Sequence, residues 1–369
     1  SMISLFFRVS SISLESTNVR LQKLNYNENF EHRYSIDLED LGSCRVLPLG
    51  IACSKLPTDL KLAKFLLTAS LFGRDILESA AILAGALESR SPFLAPPGQR
   101  NQADAARNKF NAESNSDSLT LLHAYESWIA SKRSKSFCRK NFLSHFALLE
   151  ISRTREHLLK SISKTGFRTS SAVSRDMEVR DRLLRACLVS AFWPNIVAVE
   201  KPRECDKTRN WIKRDGSHVC MHPSSLNHSS RLSEFHVAGR RMLWCVFVEF
   251  FQTSREFIRD STLVDAMSCA ILCGGERKVL HTKGRFHIDD WMEFAASART
   301  ASIVKRLSEV FQEVFRDRLR KKVLDSQTLD QSSVPRWSSC DSDAILDLVV
   351  KILSEKPCEE VIYNKGVSC

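Results

Sequence analysis

From position 47 onward, apolar residues recur at helical spacing for more than a hundred positions, after which the rhythm shortens. Leu60, Ala63, Leu66 and Leu67 follow Thr58 and Asp59, either of which can accept hydrogen bonds from the open amides of a helix start. Leu77, Ala81, Ala84 and Leu87 make a second stripe, closed by Pro92, Pro96 and Pro97. Asn115, Ser116 and Asp117 offer a cap for a third helix, whose Leu121, Leu122, Tyr125, Trp128 and Ile129 keep one buried face. A longer helix is expected over residues 143–162. Residues 76–165 therefore read as an all-helical bundle.

After Gly166 short apolar runs at 183–190, 196–200, 219–221, 242–251 and 270–272 alternate with turn-forming and charged segments. This spacing predicts strands of a small barrel or sandwich, making the chain α+β with several domains. Asp289 or Asp290 is expected to cap a helix whose Ile303, Leu307, Val310, Phe311, Val314, Phe315 and Leu319 form one face, closing the flank of the barrel. Residues 325–340 are polar and serine-rich and read as a linker, and 344–353 as a last short helix. Before position 47 the pattern is less defined, with a turn suggested by Asn25, Asn27 and Asn29.

Composition narrows the partners. With 369 residues, 43% of them hydrophobic and 26% charged, the chain can bury two or three cores and is not a disordered tail. Lysine and arginine exceed acidic residues by 54 to 43, and the resulting charge of +11 favours an anionic partner, nucleic acid or an anionic membrane surface. The 12 cysteines include no Cys-x-x-Cys pair and read as reduced thiols of a nuclear or cytoplasmic protein. No apolar run reaches the ~20 residues that a membrane helix needs, so no membrane partner is expected. The Ser1-Met2 start has the form of a cloning scar and suggests a piece excised from a longer chain.

Motor chemistry is missing from the sequence: there is no Gly-x-x-x-x-Gly-Lys loop to cradle phosphates and no Asp-Glu-x-His box to hold magnesium. Nor does a Gly-x-Ser-x-Gly elbow order the serines and histidines. We expect no catalytic residue, metal or cofactor in this chain, and no enzyme activity of its own.

Several short motifs stand in a fixed order. They are Leu49-Gly50, Leu56-Pro57 and Leu62-Ala63-Lys64; then Pro92-Phe93, Ala103-Asp104-Ala105-Ala106, Leu121-Leu122-His123-Ala124-Tyr125 with Trp128, and Phe137-Cys138 with Phe142-Leu143. Last come Gly216, His222-Pro223-Ser224-Ser225 and Phe257-Ile258-Arg259-Asp260-Ser261-Thr262. This order resembles the C-terminal region of DEAH-box RNA helicases over about residues 47 to 325. Leu272-Cys273-Gly274-Gly275 and Trp291-Met292-Glu293-Phe294 are similar to the branch of RNA helicase A and its quadruplex-resolving relatives.

The resemblance implies a partial winged helix over 1–75, a helical ratchet domain over 76–165 and a five-stranded oligonucleotide-binding (OB) barrel over 166–298. An amphipathic helix over 299–325 and a tail over 326–369 would follow. It also implies that ATP and magnesium act in two RecA-like domains elsewhere in the parent helicase, which moves along RNA from 3' to 5'. This portion would hold single-stranded RNA, partner those domains and dock a glycine-rich activator. A protein-interaction scaffold without direct RNA contact is the alternative reading.

An OB barrel binds single strands with a basic groove and with hydroxyl and aromatic groups. On that expectation Lys213, Arg214 and His218 flank the Gly216 turn as RNA contacts. His222, Ser224 and Ser225 form a proline-stiffened corner whose hydroxyls either meet RNA or cap neighbouring backbone. Thr253, Ser254 and Arg255 occupy a turn open to RNA, whereas Arg259 reads as an internal ion-pair partner. Arg153, Lys160 and Lys164, with Arg155 and Arg168, make a basic stretch that meets the RNA path or is simply a solvated face. His218, Cys220 and His222 alternate on one strand face near Cys205 in sequence, a spacing that fits no common zinc finger and that strand alternation alone produces.

Overall fold

The computed structural model describes residues 47–111, 114–165, 176–200, 211–228, 242–253, 255–280, 284–324 and 339–355. The expected turn at Asn25 to Asn29, the start of the winged helix, Arg168, Cys205, Ser254 and most of the 325–340 linker lie outside these residues.

Among the described residues eight helices precede the strands: α1 (Pro48–Ser54), α2 (Leu60–Phe72), α3 (Arg74–Glu88), α4 (Arg100–Asn111), α5 (Asp117–Ala130), α6 (Lys135–Lys140), α7 (His145–Thr165) and α8 (Met177–Phe192). Their starts follow the capping logic of the sequence. The Asp59 carboxylate accepts from the Lys61 amide and the Ser116 hydroxyl from the Leu119 amide, occupying donors the helices cannot satisfy themselves. Helix α2 runs between α3 and α8, and α7 packs along α3, where Gly85 lets the backbone of Ile151 come close: a Cβ there would sit 3.2 Å from its carbonyl oxygen.

The barrel is built from β1 (Ile196–Glu200), β2 (Trp211–Ile212), β3 (His218–Met221), β4 (Met242–Gln252) and β5 (Glu256–Val264). They close in the order β1-β2-β3-β5-β4, antiparallel throughout except for the β3–β5 pair. Alternation sorts the side chains. Val197, Trp211, Val219, Met221, Cys245, Phe247, Ile258 and Leu263 fill the barrel, while Ile196, Ala198, Trp244, Val246 and Val264 face out and join the helical core. Ile258 and Leu263 are an odd number of residues apart yet both point inward, because Asp260 between them takes a left-handed backbone (φ 54°) that reverses the alternation.

Four expectations are corrected. Residues 183–190 and 270–272 are not strands but parts of α8 and of α9 (Ala266–Leu272), capped by Asp176 and Asp265. Both are buried on several sides, α8 between α2 and the barrel, so their apolar runs lose helical periodicity. Asp289 and Asp290 cap no helix. They take left-handed backbones (φ 49° and 62°) in the loop joining β7 (Arg285–Ile288) to β8 (Met292–Ala295), which with β6 (Arg277–Leu280) form a separate three-stranded sheet. Helix α10 (Ala298–Leu324) instead starts after Ser297, whose hydroxyl accepts from the Thr300 amide. It does not flank the barrel but packs on α1, α9, the small sheet and α11 (Ser339–Ser354).

One carboxylate joins the two halves. Asp117, 1% exposed at the first turn of α5, accepts through Oδ1 from Arg107 Nη2 (2.9 Å) and the Leu226 amide (2.9 Å). Through Oδ2 it accepts from the Ser225 hydroxyl (2.5 Å) and from the amide (2.9 Å) and hydroxyl (3.1 Å) of Ser261. Around it Ser116 Oγ meets Thr262 Oγ1 (2.8 Å), Asn227 Nδ2 donates to the Asn115 carbonyl (3.1 Å), and Arg185 donates to the carbonyls of Ser114 (2.5 Å) and Leu263 (2.6 Å). Replacing Asp117 by alanine strands these buried donors and leaves Arg107 without its counter-charge. It should cost about 3–5 kcal/mol in urea unfolding, whereas Ser225→Ala should cost nearer ~1 kcal/mol.

Candidate nucleic-acid interface

One rim of the barrel gathers the β2–β3 and β4–β5 turns. Lys213 and Ser217 close the first, with the Lys213 amide donating to the Ser217 carbonyl (2.9 Å) and the Gly216 amide to the Lys213 carbonyl (3.0 Å). Gly216 holds φ 78°, where a side chain would be strained. In the second, the Thr253 amide donates to the Arg255 carbonyl (2.9 Å), and Thr253 and Arg255 are exposed.

Between these turns lies a group of aromatic rings. Phe251 and Phe257, paired across β4 and β5, stack with centroids 5.8 Å apart, and His222 stands edge-on to both (5.4 and 6.2 Å). Phe250 is 45% exposed, with the Lys213 ammonium 5.3 Å from its ring centroid. The Ser224 amide donates to Nδ1 of His222 (3.1 Å), which leaves a neutral imidazole's proton on Nε2. Burial, then the charges of Arg259 and His228, push its pKa down, so the ring is neutral at physiological pH.

The expected contacts separate into distinct groups. Lys213 is not an open cation: its ammonium pairs with Glu256 (2.5 Å) and lies near Asp215 (3.8 Å), while Arg214 pairs with Asp289 (3.1 Å). The Asp289 carboxylate also accepts from the Glu276 amide (2.7 Å), and Gly275 is required beside it, since a Cβ there would meet that carboxylate at 2.5 Å. His218, Thr253 and Arg255 are exposed at the rim. Ser224 is exposed too, but its carbonyl accepts from Arg107. Ser225, 7% exposed, spends its hydroxyl on Asp117 and Ser261, so at this corner capping holds rather than an open hydroxyl. Arg259 pairs with Glu249 and Asp260, but the pair is not internal: its side chain is 40% exposed and that of Glu249 45%.

Arg153, Lys160 and Lys164 share one exposed face of α7, while Arg155 pairs with Glu78 (3.4 Å). Because α7 packs on α3, these three are presented on a different element from the rim. Among the described residues no group of three or more His, Cys, Asp or Glu is arranged to hold a metal, and no helix is long and apolar enough to cross a membrane. Reading the sequence missed Phe250, Phe251 and Phe257, although three phenylalanines flanking a Gln-Thr-Ser-Arg-Glu turn were a visible signal.

With the geometry in place, comparison with known proteins is specific. Residues 184–275 match the oligonucleotide/oligosaccharide-binding (OB)-fold family, and residues 59–121 the ratchet-like helicase associated domain (HA2). The chain is 29% identical over 304 residues to the ATP-dependent RNA helicase dhx29 of Xenopus laevis, covering 76% of this chain and 21% of that protein. It is 28% identical over 365 residues to the putative ATP-dependent RNA helicase DHX57 of Homo sapiens (86% and 25%). With the DExH-box ATP-dependent RNA helicase DExH1 of Arabidopsis thaliana it shares 30% over 304 residues (80% and 28%). The chain thus spans between a fifth and three tenths of the length of these relatives.

Next to the seam, burial pushes the Asp260 carboxyl up to about 6, and the Asp117 charge adds to the effect while Arg259 opposes it. A carboxyl raised from ~3.9 in the unfolded chain holds its proton more tightly when folded, so its stabilisation is complete below pH ~4 and is lost as pH rises through ~6. Asp260→Asn keeps a residue that tolerates the left-handed backbone. Relative to wild type it should gain on the order of 1–2 kcal/mol at pH 7.5 but little at pH 4, read from denaturation midpoints at the two pH values.

Proposed function

Because the chain is the C-terminal region of a DEAH-box RNA helicase, we propose that it holds single-stranded RNA at the barrel rim and transmits domain motion to a RecA-like motor elsewhere in the parent protein. The observation that carries this reading is the half-exposed Phe250 ring beside an ammonium, backed by Phe251, Phe257 and neutral His222. A base can stack on such a ring whatever its identity, and Arg255 and His218 stand ready at the same rim for the phosphates. Lys213 contributes through the ring it polarises rather than as a separate phosphate clamp. The rigid seam at Asp117 supports the second half of the proposal, since a barrel fixed to the helical domain moves with it. ATP and magnesium belong to the motor in this reading, which is supported by a sequence without a Gly-x-x-x-x-Gly-Lys string.

Titrating a labelled single-stranded RNA at two salt concentrations tests the proposal. Binding should weaken steeply as salt rises, with Arg255→Gln flattening the log–log slope by about 0.7. Phe250→Ala should weaken binding by roughly tenfold, within the ~1–3 kcal/mol of one stacked base, and leave the slope unchanged. Absent or salt-insensitive binding would favour a protein-docking scaffold instead. ATP hydrolysis by this chain should stay at background, and robust turnover would contradict the division of labour.

A further inference from the structure

The helical domain holds a histidine that neither the rim nor the Asp117 seam uses. His123 lies on α5, 8% exposed, and both of its ring nitrogens face acceptors. Nδ1 is 3.0 Å from the carbonyl oxygen of Phe110, near the end of α4, and Nε2 is 2.9 Å from Oδ2 of Asp181 on α8. A carbonyl oxygen can only accept, and so can a carboxylate, which here takes the Arg180 guanidinium on its other oxygen (3.4 Å). A neutral imidazole has one N–H to give, so it satisfies one of these partners and turns a lone pair on the other. Only the imidazolium satisfies both.

The surrounding charges fit that form. On α5 Glu126, one turn after His123, accepts from both terminal nitrogens of Arg180 (2.6 and 3.0 Å). His123, Asp181, Arg180 and Glu126 thus alternate in sign along one network, which balances only while the ring is charged. Other charges nearby are engaged elsewhere. Arg185, one turn beyond Asp181, donates to the Ser114 and Leu263 carbonyls; on α4 Arg107 answers Asp117, and Lys109 is exposed. On α3, packed against α5, Glu78 pairs with Arg74 and Arg155, and Glu88 accepts from Thr58 and the Asp59 amide. On β5 Arg259 pairs with Asp260, and α7 reaches α5 farther along, through Ser152 on Tyr125 and His145 on Trp128. Burial opposes a charge on His123, but the hydrogen bond and charge of Asp181, then the Phe110 carbonyl and Glu126, outweigh it and raise the pKa.

We propose that His123 is a proton-operated latch, tying α8 to α5 and to the end of α4 as an imidazolium and loosening the first turns of α8 when it loses its proton. Helix α8 runs on into β1, and its Arg185 holds carbonyls on both sides of the seam. The latch therefore sets how firmly the barrel is seated on the helical domain, whether or not RNA is the ligand of the rim. A histidine whose folded pKa lies above the ~6.5 of an unfolded chain gives its full stabilisation below that pH and loses it as pH rises through the folded value. The latch is shut in mild acid and opens toward alkaline pH.

Hydrogen exchange of the full chain, read by mass spectrometry between pH ~6.5 and ~9 and corrected for the intrinsic rate, tests this above the range in which Asp260 titrates. In wild type the opening of residues 177–185 should rise by up to about tenfold per pH unit and level off once the folded ring is neutral. His123→Gln should be more open than wild type at pH ~6.5 and show no such rise. Asp181→Asn should lose the rise as well, since an amide can donate to Nε2 of a neutral ring. It keeps the imidazole and its Phe110 bond, and it decides the matter should His123→Gln not fold. Opening that is flat or falls with pH in wild type overturns the inference, as does a rise that survives in either variant.

Discussion

A buried carboxylate fixes the architecture. Asp117 is buried away from solvent, and Arg107 and four donors from the corner after β3 and from β5 converge on its two oxygens. Those donors come from a loop and a strand more than a hundred residues further along the chain. Removing the carboxylate would leave Arg107 and the other buried donors without their acceptor, so the first turn of α5, the corner after β3 and the middle of β5 hold one another in register. The left-handed backbone at Asp260 belongs to the same arrangement: it turns Ser261 toward Asp117 while keeping Ile258 and Leu263 inside the barrel.

This joint divides the work of the barrel. The side facing the helical domain is closed by hydrogen bonds and by apolar strand residues that merge with the helical core. The hydroxyl of Ser225 and the carbonyl of Ser224 are thereby committed to the protein itself. What remains for a ligand is the rim, where rings rather than open ammonium groups dominate, because Lys213 and Arg214 already answer Glu256 and Asp289. Among the described residues, exposed cations without a carboxylate partner also stand on helical faces, on α7 and at the α5–α6 turn.

Much of this was legible in the sequence. Asp59 and Ser116 were readable as caps because capping acts within three residues, and β1, β3 and β4 were readable because each alternates or runs apolar between turn signals. Helix α8 was misread because a helix buried on several sides shows no period, and Asp289 because an aspartate in a hairpin turn looks like a cap before a helix. Of the candidate contacts, Arg255 and His218 are exposed at the rim, while Ser225, Lys213 and Arg214 have internal partners 43 to 108 residues away that no local pattern announces. Asp117 was visible only as part of a capping triplet; its larger role depends on residues that meet it only once the barrel has closed.

The seam at Asp117 should make helical domain and barrel one cooperative unit. Native-state hydrogen exchange of the whole chain, resolved to the amides of the first turn of α5 and of β5, measures this directly. One shared opening free energy for both segments, falling together when Asp117 is replaced, is the predicted result. A β5 that opens well below the stability of α5 in the wild-type protein would contradict it, because the barrel would then be held by its own ladder alone.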